Sequence, residues 1–196
     1  QGAMRIGAPR VLVLEYVQRM MAWMLWRPAD ELAQGRAVQL GLGAAAITRF
    51  THQVLRMPTT VVELNPQVIT ACQLWFRLPR DDARLRVVEG DAGEWIADAA
   101  PQSVQVLCVD LYDHEAAAPV LDDEAFYAAC HALLAPGGRL LYATCSVFKA
   151  EGQAVIDAFL QRLGPAAARL DPASPGHLLP LPDNDPAGKM QQPADG

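Results

Sequence analysis

Acidic residues end or follow several apolar segments of this 196-residue sequence, and carboxylates in such places can bind hydroxyl groups or move protons. Asp110 ends the segment VLCVD, and Asp113 follows it three residues later. An amine that attacks a carbon must be neutral, and a carboxylate within hydrogen-bond reach can take its proton. Two acids at this spacing can also bind the charges of a polyamine. The alternative for both acids is a helix-cap or loop position.

A glycine turn precedes these acids in the chain. The segment AVQLGLGAAAITRF fits the pattern G-x-G-x-x-A, with Gly41, Gly43 and Ala46 in the specified places. Gly41 permits a tight turn, Gly43 lets the backbone approach a ligand, and Ala46 lets the helix pack closely on the strand. Glu63 follows Gly43 by 20 residues, where an acid can accept hydrogen bonds from both ribose hydroxyls. The pattern predicts a nucleoside site, and a strand-to-helix turn without a ligand is the alternative.

Strands and helices alternate along the part of the chain that carries these residues. The composition and periodicity predict strands at 37–41, 59–64, 85–89, 104–109 and 139–144. They predict helices at 44–56, 66–77, 92–99, 122–134 and 150–163. Asn65 can cap the second of these helices, with Pro66 at its first position. Pro136 to Gly138 predicts a turn before the last strand.

This alternation predicts an α/β fold with a mostly parallel central sheet covered by helices on both faces. Right-handed crossovers place the carboxyl ends of all the strands, and any ligand, at one edge of the sheet. The residues expected at that edge are Gly41, Gly43, Glu63, Asp91, Asp110 and Thr144.

The chain divides by composition into four parts. Residues 1–3 resemble the remnant of a cleavable tag, and 4–36 form an N-terminal segment with a helix expected at 11–26, although VLVLEY also suits a strand. Residues 37–163 form the Rossmann-like domain, and 164–196 form a Pro-rich tail. The Met/Trp-rich stretch from Met20 to Trp26 has helical spacing, which favours core or dimer packing over a substrate-binding patch.

Composition excludes several classes of function. A net charge of −6 argues against a broad nucleic-acid surface, and no apolar run reaches the ~20 residues that a membrane span needs. The four cysteines form no CxxC pair and the four histidines have no metal-ligand spacing, so no metal site is expected. Reduced thiols in a cytoplasmic protein are the expectation.

Six segments together resemble the spermidine synthase-like proteins of the class I S-adenosylmethionine-dependent methyltransferase fold, over about 12–138. They are EYVQRMMAWMLWRP, VQLGLGAAAITRF, VVELNPQVI, FRLPRDDARLRVVEGDAGEWI, VLCVDLYDHE and FYAACHALLAPGG. The resemblance implies a transferase of polyamine biosynthesis that binds S-adenosylmethionine or its decarboxylated form. It implies methylthioadenosine or S-adenosylhomocysteine as product and a small amine as acceptor.

The resemblance also assigns roles to individual residues. The cofactor would be held by Gly41, Gly43, Glu63, Leu64, Asp91, Ala92 and Asp110, with Glu63 on the ribose and Asp91 on the adenine amino group. Asp110 lies where aminopropyltransferases place the base that deprotonates the amine, and Asp113 falls on that motif's second acid. Gln18 and Tyr112 would contact substrate.

Three features depart from the spermidine synthase pattern. The family's GGGDGG-like loop carries an acid where this chain has Ala44, and its Asp-Ser-Ser-Asp-Pro run reads DLYDH here. The N-terminal β-domain that covers the family's active site is almost wholly missing from this sequence. The resemblance therefore supports binding of a nucleoside cofactor more than polyamine synthesis itself.

The segment from Gly137 to Gly196 has a second resemblance, to the end of bacterial rRNA cytosine-5 methyltransferases. GGRLLYATCSVFKAEGQAVIDAFLQR contains the TCS motif, in which Cys145 would add covalently to cytosine. The family's Asp-Ala-Pro-Cys run is replaced by VDLY at the end of the fourth strand, so a small core residue is the alternative for Cys145.

Neither strand of the antiparallel pair that usually completes the class I fold is evident after Gly164. The fifth strand is then expected to be covered by the Pro-rich tail or by a second subunit, and a homodimer is predicted. Three functions remain open: a transferase with a small amine acceptor and Asp110 as base, a methyltransferase with another acceptor, including rRNA cytosine through Cys145, and a catalytically lapsed nucleoside-binding or dimerisation domain.

Overall fold

The computed structural model describes residues 2–111 and 124–141, together with 157–158, 160–162 and 164–165. The side chains of residues 137–141 are not among those described. The chain divides into two compact units, Gln1–Ala143 and Thr144–Gly196. In the second unit the described residues 157–158 and 160–162 are helical, and the Gly164 amide donates to the Leu160 carbonyl.

The first unit is built on a five-stranded parallel sheet with the order β3-β2-β1-β4-β5. The strands are β1 Ala37–Leu40, β2 Thr59–Glu63, β3 Leu85–Glu89, β4 Val104–Val109 and β5 Leu134–Leu141. Strand β1 is buried along its whole length, as expected for the centre of a sheet covered on both faces. The predicted α/β fold class is confirmed.

Helices connect the strands in the predicted alternation. Those of the described part of this unit are α1 Glu15–Met20, α2 Ala46–Arg49, α3 Pro66–Leu74, α4 Ala92–Asp98 and α5 Glu124–Leu133. The Asn65 side chain caps α3 as predicted, because its Oδ1 accepts from the Gln67 amide at 2.9 Å. No helix in the described part of the chain is both long and apolar enough to cross a bilayer.

Helix α2 begins two residues later than its pattern predicts. Ala45 has φ 55° and ψ 25°, a left-handed conformation that an α-helix does not accept in its interior. The α-helical turn then continues as a π-helical turn, Phe50–Val54. The prediction of one regular helix over 44–56 was therefore wrong, since propensity alone does not show a left-handed alanine.

The N-terminal segment is also less regular than predicted. Instead of one helix over 11–26, α1 is followed by two 3₁₀ turns, Ala22–Trp26 and Ala29–Glu31. Burial explains the break, because the irregular chain places Met20 and Trp23 in the core at 2% and 1% exposure. They pack in one cluster with Val106 and Cys108 of β4, which confirms core packing for this stretch.

The segment Leu134–Leu141 forms strand β5, although Pro136 to Gly138 had predicted a turn before a strand at 139–144. The pairing with β4 is irregular here: Val104 faces Leu134, and Val106 faces Arg139. Between these pairs β5 advances five residues while β4 advances two, so the proline and glycines lie where the ladder is interrupted, and regular pairing begins at Arg139. The prediction that the strand begins after this turn, at residue 139, was wrong, because the strand already begins at Leu134.

Several sequence-based predictions fall on residues that the structure does not describe. They concern the acceptor-side residues Tyr112 and Asp113, the candidate nucleophile Cys145, Thr144 at the sheet edge, and the tail after Pro165. These predictions stay as they were made.

Candidate functional site

The glycine turn lies between the ends of β1 and β4. Gly41 has φ 86°, and a Cβ at this position would collide with the carbonyl oxygen of Asp110. The Gly41 amide donates to the Val62 carbonyl at 2.8 Å, which ties the turn to β2 as well. Gly41 is thus required by the close approach of β4 in addition to the turn itself. Gly43 has φ 53°, but a Cβ there would meet nothing within 4 Å, so this side of the turn is open.

Glu63 is the last residue of β2, and its carboxylate faces the turn. Its Oε2 accepts from the Leu42 amide at 2.8 Å, and its Oε1 accepts from the Asn65 amide at 2.9 Å. Each oxygen keeps a second lone pair that can accept from another donor. Leu64, the next residue, is 66% exposed.

Asp91 and Ala92 follow β3 at the same edge of the sheet. Asp91 caps α4, because its Oδ1 accepts from the Glu94 amide at 2.9 Å. Asp91 is exposed, so its second oxygen, Oδ2, remains accessible. Ala92 is the first residue of α4 and is buried. The Asp91 carboxylate therefore has a structural role in the helix that the sequence-based assignment to adenine did not include.

Asp110 follows β4 and is partly buried. The Tyr16 hydroxyl donates to its Oδ2 at 3.4 Å. Burial raises the pKa of the Asp110 carboxyl above its usual value, and the Tyr16 hydrogen bond lowers it in part. Burial, together with the charge of Asp110, raises the pKa of Tyr16 to about 12. The pair therefore joins a carboxylate that is easier to protonate than usual to a phenol that stays neutral near pH 7.

Tyr16 was not among the candidate residues, whereas Gln18 was. The Gln18 side chain is exposed and donates to the Leu12 carbonyl at 2.8 Å, so it holds its own segment. Tyr16 precedes Asp110 by 94 residues, and their contact depends on how the N-terminal segment crosses the sheet edge. The available signal was an aromatic residue two positions before Gln18 that carries a polar hydroxyl.

A small cleft joins Tyr16 and Asp110 to the glycine turn. Leu14 and Val17 form its N-terminal wall, and the turn supplies the wall formed by Leu42, Gly43 and Ala44. Gly2 and Ala3 also line the cleft, and Gly2 packs directly against Ala44. Among the described residues that line this cleft, Asp110 is the one with a charged side chain.

The strand order explains how the predicted residues come together. The strand order β3-β2-β1-β4 places Asp91, Glu63, the glycine turn and Asp110 in a row along one edge of the sheet. Glu63 contacts the turn through Leu42, and Asp110 contacts it through Gly41. The edge thus presents two accessible carboxylates and an exposed Leu64 on one side, and the Tyr16–Asp110 pair on the other.

Comparison with curated proteins identifies relatives of the chain. It is 32% identical over 139 residues to the polyamine aminopropyltransferase of Neisseria meningitidis, covering 70% of this chain and 51% of that protein. It is 30% identical over 139 residues to the polyamine aminopropyltransferase of Chromobacterium violaceum, with the same coverage. The chain is spermidine synthase-like. It spans about half the length of these curated relatives.

Solved structures support the same assignment of the fold. A probable spermidine synthase from Corynebacterium glutamicum matches with a TM-score of 0.58 at 27% identity, over 66% of this chain and 47% of that chain. Human methyltransferase-like protein 13, in complex with SAH, matches with a TM-score of 0.64 at 22% identity, over 78% of this chain and 74% of that chain. This spermidine synthase-like chain thus has the class I methyltransferase fold.

A different relative matches a shorter stretch of the spermidine synthase-like chain. The ribosomal RNA small subunit methyltransferase B of Xanthomonas campestris is 53% identical over 49 residues, which is 25% of this chain and 11% of that protein. The resemblance to an rRNA methyltransferase noted in the sequence is therefore confirmed. No family model matches the chain.

Proposed function

We propose that this chain transfers an aminopropyl or methyl group from an S-adenosyl cofactor to a small amine, with Asp110 as the base. The observation that carries the proposal is the partly buried carboxylate of Asp110, hydrogen-bonded to Tyr16 in a cleft beside the glycine turn. Similarity to polyamine aminopropyltransferases supports the reaction type and the class of acceptor.

The residues at the sheet edge fit a nucleoside. Glu63 accepts one backbone hydrogen bond on each oxygen, and the remaining lone pairs suit two ribose hydroxyls. Exposed Leu64 offers an apolar surface to a base, and Asp91 keeps one accessible oxygen for an amino group beside Ala92. Gly43 leaves space beside the backbone. The bound cofactor would supply a carbon activated by an adjacent sulfonium.

Asp110 would accept the proton that an attacking amine loses. A carboxylate whose pKa is raised by burial is a better proton acceptor, provided that it remains ionised at the working pH. Tyr16 would hold the carboxylate in place and stay neutral, since its pKa is raised to about 12. Asp113 and Tyr112 keep their proposed roles as second acid and substrate contact.

Ala44 bears on which form of the cofactor this chain uses. Spermidine synthases, in the resemblance above, carry an acid at this place for the amine of the decarboxylated cofactor. Ala44 is buried and offers no charge to that amine. Methyl transfer from S-adenosylmethionine therefore stands beside aminopropyl transfer as the reaction to be tested.

The proposal is tested by following product release with each donor. We expect methylthioadenosine from the decarboxylated donor with putrescine, or S-adenosylhomocysteine from S-adenosylmethionine with an amine. Asp110→Asn should lower kcat by about 10²-fold or more, as loss of a general base does. Asp98→Asn, which changes an exposed acid on α4, is the matched control. Binding of a donor without turnover of any amine would refute amine transfer and leave the rRNA methyltransferase or the lapsed binding domain.

A second candidate is methylation of rRNA cytosine through Cys145. The 53% identity to the rRNA methyltransferase over 49 residues favours it, whereas a net charge of −6 weighs against RNA binding. Methyl incorporation into rRNA that is lost in Cys145→Ala and kept in Asp110→Asn would support this candidate. The absence of incorporation with rRNA stripped of modifications would exclude it.

A further inference from the structure

Side chains hold every carbonyl of the turn from Gly41 to Ala44. The Gln39 amide nitrogen donates to the carbonyl of Gly41 at 2.6 Å and to that of Leu42 at 3.5 Å. The Cys72 thiol donates to the Gly43 carbonyl at 3.1 Å. The Arg49 guanidinium donates to the remaining carbonyl, that of Ala44. Since the carbonyls are turned inward and occupied, the backbone of this turn is fixed before any ligand arrives.

Arg49, the last residue of α2, donates to three carbonyls from three different segments. Its Nη1 donates to Ala44 in the turn at 2.7 Å and to Phe76 after α3 at 2.6 Å. Its Nε donates to Pro9 of the N-terminal segment at 2.9 Å. One guanidinium therefore joins the glycine turn, the end of α3 and the segment that leads to Tyr16.

Burying the charged Arg49 side chain costs free energy, which its hydrogen bonds to the three carbonyls must offset. The residue is 1% exposed, no acidic side chain of the described residues forms an ion pair with it, and its Nη2 has no hydrogen-bond partner among them. Burial lowers the pKa of the guanidinium. A buried cation without a carboxylate is disfavoured, and an apolar side chain of similar length would fill the space at lower cost.

We propose that Arg49 is the positioning residue of the site, fixing the glycine turn and the N-terminal wall of the cleft in their binding geometry. Because Arg49 links these segments, its replacement should loosen them locally. Lysine keeps the charge but cannot direct a planar fork at three separate carbonyls. The expected effect on nucleoside affinity rests on the proposed function. The expected effect on the unliganded turn is independent of it.

The decisive experiment is hydrogen exchange on the unliganded protein, comparing wild type with Arg49→Lys. We expect peptides that cover 41–46 and 8–16 to exchange about tenfold faster, with β4 unchanged, because the lost bonds are local. Arg86→Lys, at an exposed position of β3, is the control. Unchanged exchange of both peptides in Arg49→Lys would overturn the proposal, as would equal acceleration throughout the sheet, since that indicates general destabilisation.

A binding measurement separates this inference from the proposed function. Arg49→Lys should weaken methylthioadenosine binding about tenfold, and kcat at saturating donor should fall by a smaller factor, because Arg49 acts on Asp110 indirectly, through the segment that carries Tyr16. A loss of kcat at unchanged nucleoside affinity would contradict a positioning role. If wild type binds no nucleoside, the proposed function fails and the exchange experiment still decides the role of Arg49.

Discussion

The two glycines of the G-x-G-x-x-A pattern, Gly41 and Gly43, have different surroundings in the structure. Gly41 is enclosed by the Asp110 carbonyl, whereas Gly43 has positive φ but open space around it. The turn itself followed from the pattern, but the enclosure of Gly41 did not, because it depends on how closely β4 approaches β1. The pattern therefore located the turn and explained Gly41 incompletely, and the ligand role of Gly43 stays a prediction.

This difference makes a matched pair of substitutions informative. Gly43→Ala should cost about 1 kcal/mol of unfolding free energy, from the left-handed conformation alone. Gly41→Ala adds a backbone collision and should cost more than about 3 kcal/mol. Denaturant unfolding measures both. Equal costs for the two variants would show that the approach of Asp110 is not restrictive.

The Tyr16–Asp110 pair predicts a coupled titration. Tyr16 should ionise with a pKa of about 12, and Asp110→Asn should lower that value because the carboxylate charge is removed. It should stay above 10, since burial is the largest cause of the shift and is retained. Absorbance titration at alkaline pH, taken as a difference from Tyr16→Phe, isolates this phenol. An unchanged pKa in Asp110→Asn would show that the two groups are not in contact.

At the scale of elements, the strands were predictable and the helix starts were less so. The bounds of β3 and β4 agree with the predicted ranges, because continuous apolar runs between polar turns define buried parallel strands. The start of α2 was missed because Ala45 adopts φ 55°. Alanine strongly favours helices, so only the surrounding turn explains this conformation. The GGGDGG-like loop of the family carries glycine at the same place.

Helix α4 allows cap and ligand roles of Asp91 to be separated. Asp91→Ala should lower the unfolding free energy by about 1 kcal/mol through loss of the cap, and should also weaken nucleoside binding. Asp91→Ser keeps a capping oxygen, so its stability should be near that of wild type, but the shorter side chain no longer reaches a base. Thermal unfolding and calorimetry together measure the two effects. Wild-type nucleoside affinity in Asp91→Ser would remove Asp91 from the site.

At the scale of the whole molecule, the strand order brings acids that are far apart in the chain to one edge of the sheet. Strand pairing was predictable as parallel, and the row of Asp91, Glu63 and Asp110 followed from it. The contact of Tyr16 with that row was not predictable, because short 3₁₀ turns set the path of the N-terminal segment. Global packing thus determined the part of the site that local patterns did not contain.

The free energy of unfolding at low pH should depend on the hydrogen bonds and the ion pair of Asp82. This carboxylate accepts from the amides of Arg84 and Leu85 and pairs with His52, and these contacts lower its pKa. A lowered folded-state pKa contributes stability above the unfolded value, which is lost as pH falls through the folded value. The stability difference between wild type and Asp82→Asn should therefore shrink below about pH 4. A difference that does not change with pH would contradict this assignment.

The parallel sheet also predicts how copies of the chain associate. Strand β5 lies at one edge of the sheet, with β4 as its neighbour among the described strands. Exposed edges are usually covered or paired. We expect a homodimer by light scattering of the purified chain. A monomer at all concentrations would favour coverage of this edge by the chain's own tail.

The central claim is that the edge formed by Glu63, Asp91 and the glycine turn binds an S-adenosyl nucleoside. Calorimetry with S-adenosylmethionine, its decarboxylated form and methylthioadenosine tests it most directly, with Glu63→Gln as the variant and exposed Glu31→Gln as the control. We predict saturable binding of at least one nucleoside to wild type and a loss of about tenfold or more in Glu63→Gln, from weakened ribose hydrogen bonds. Binding of none of the three, or equal affinity in both proteins, would contradict the account.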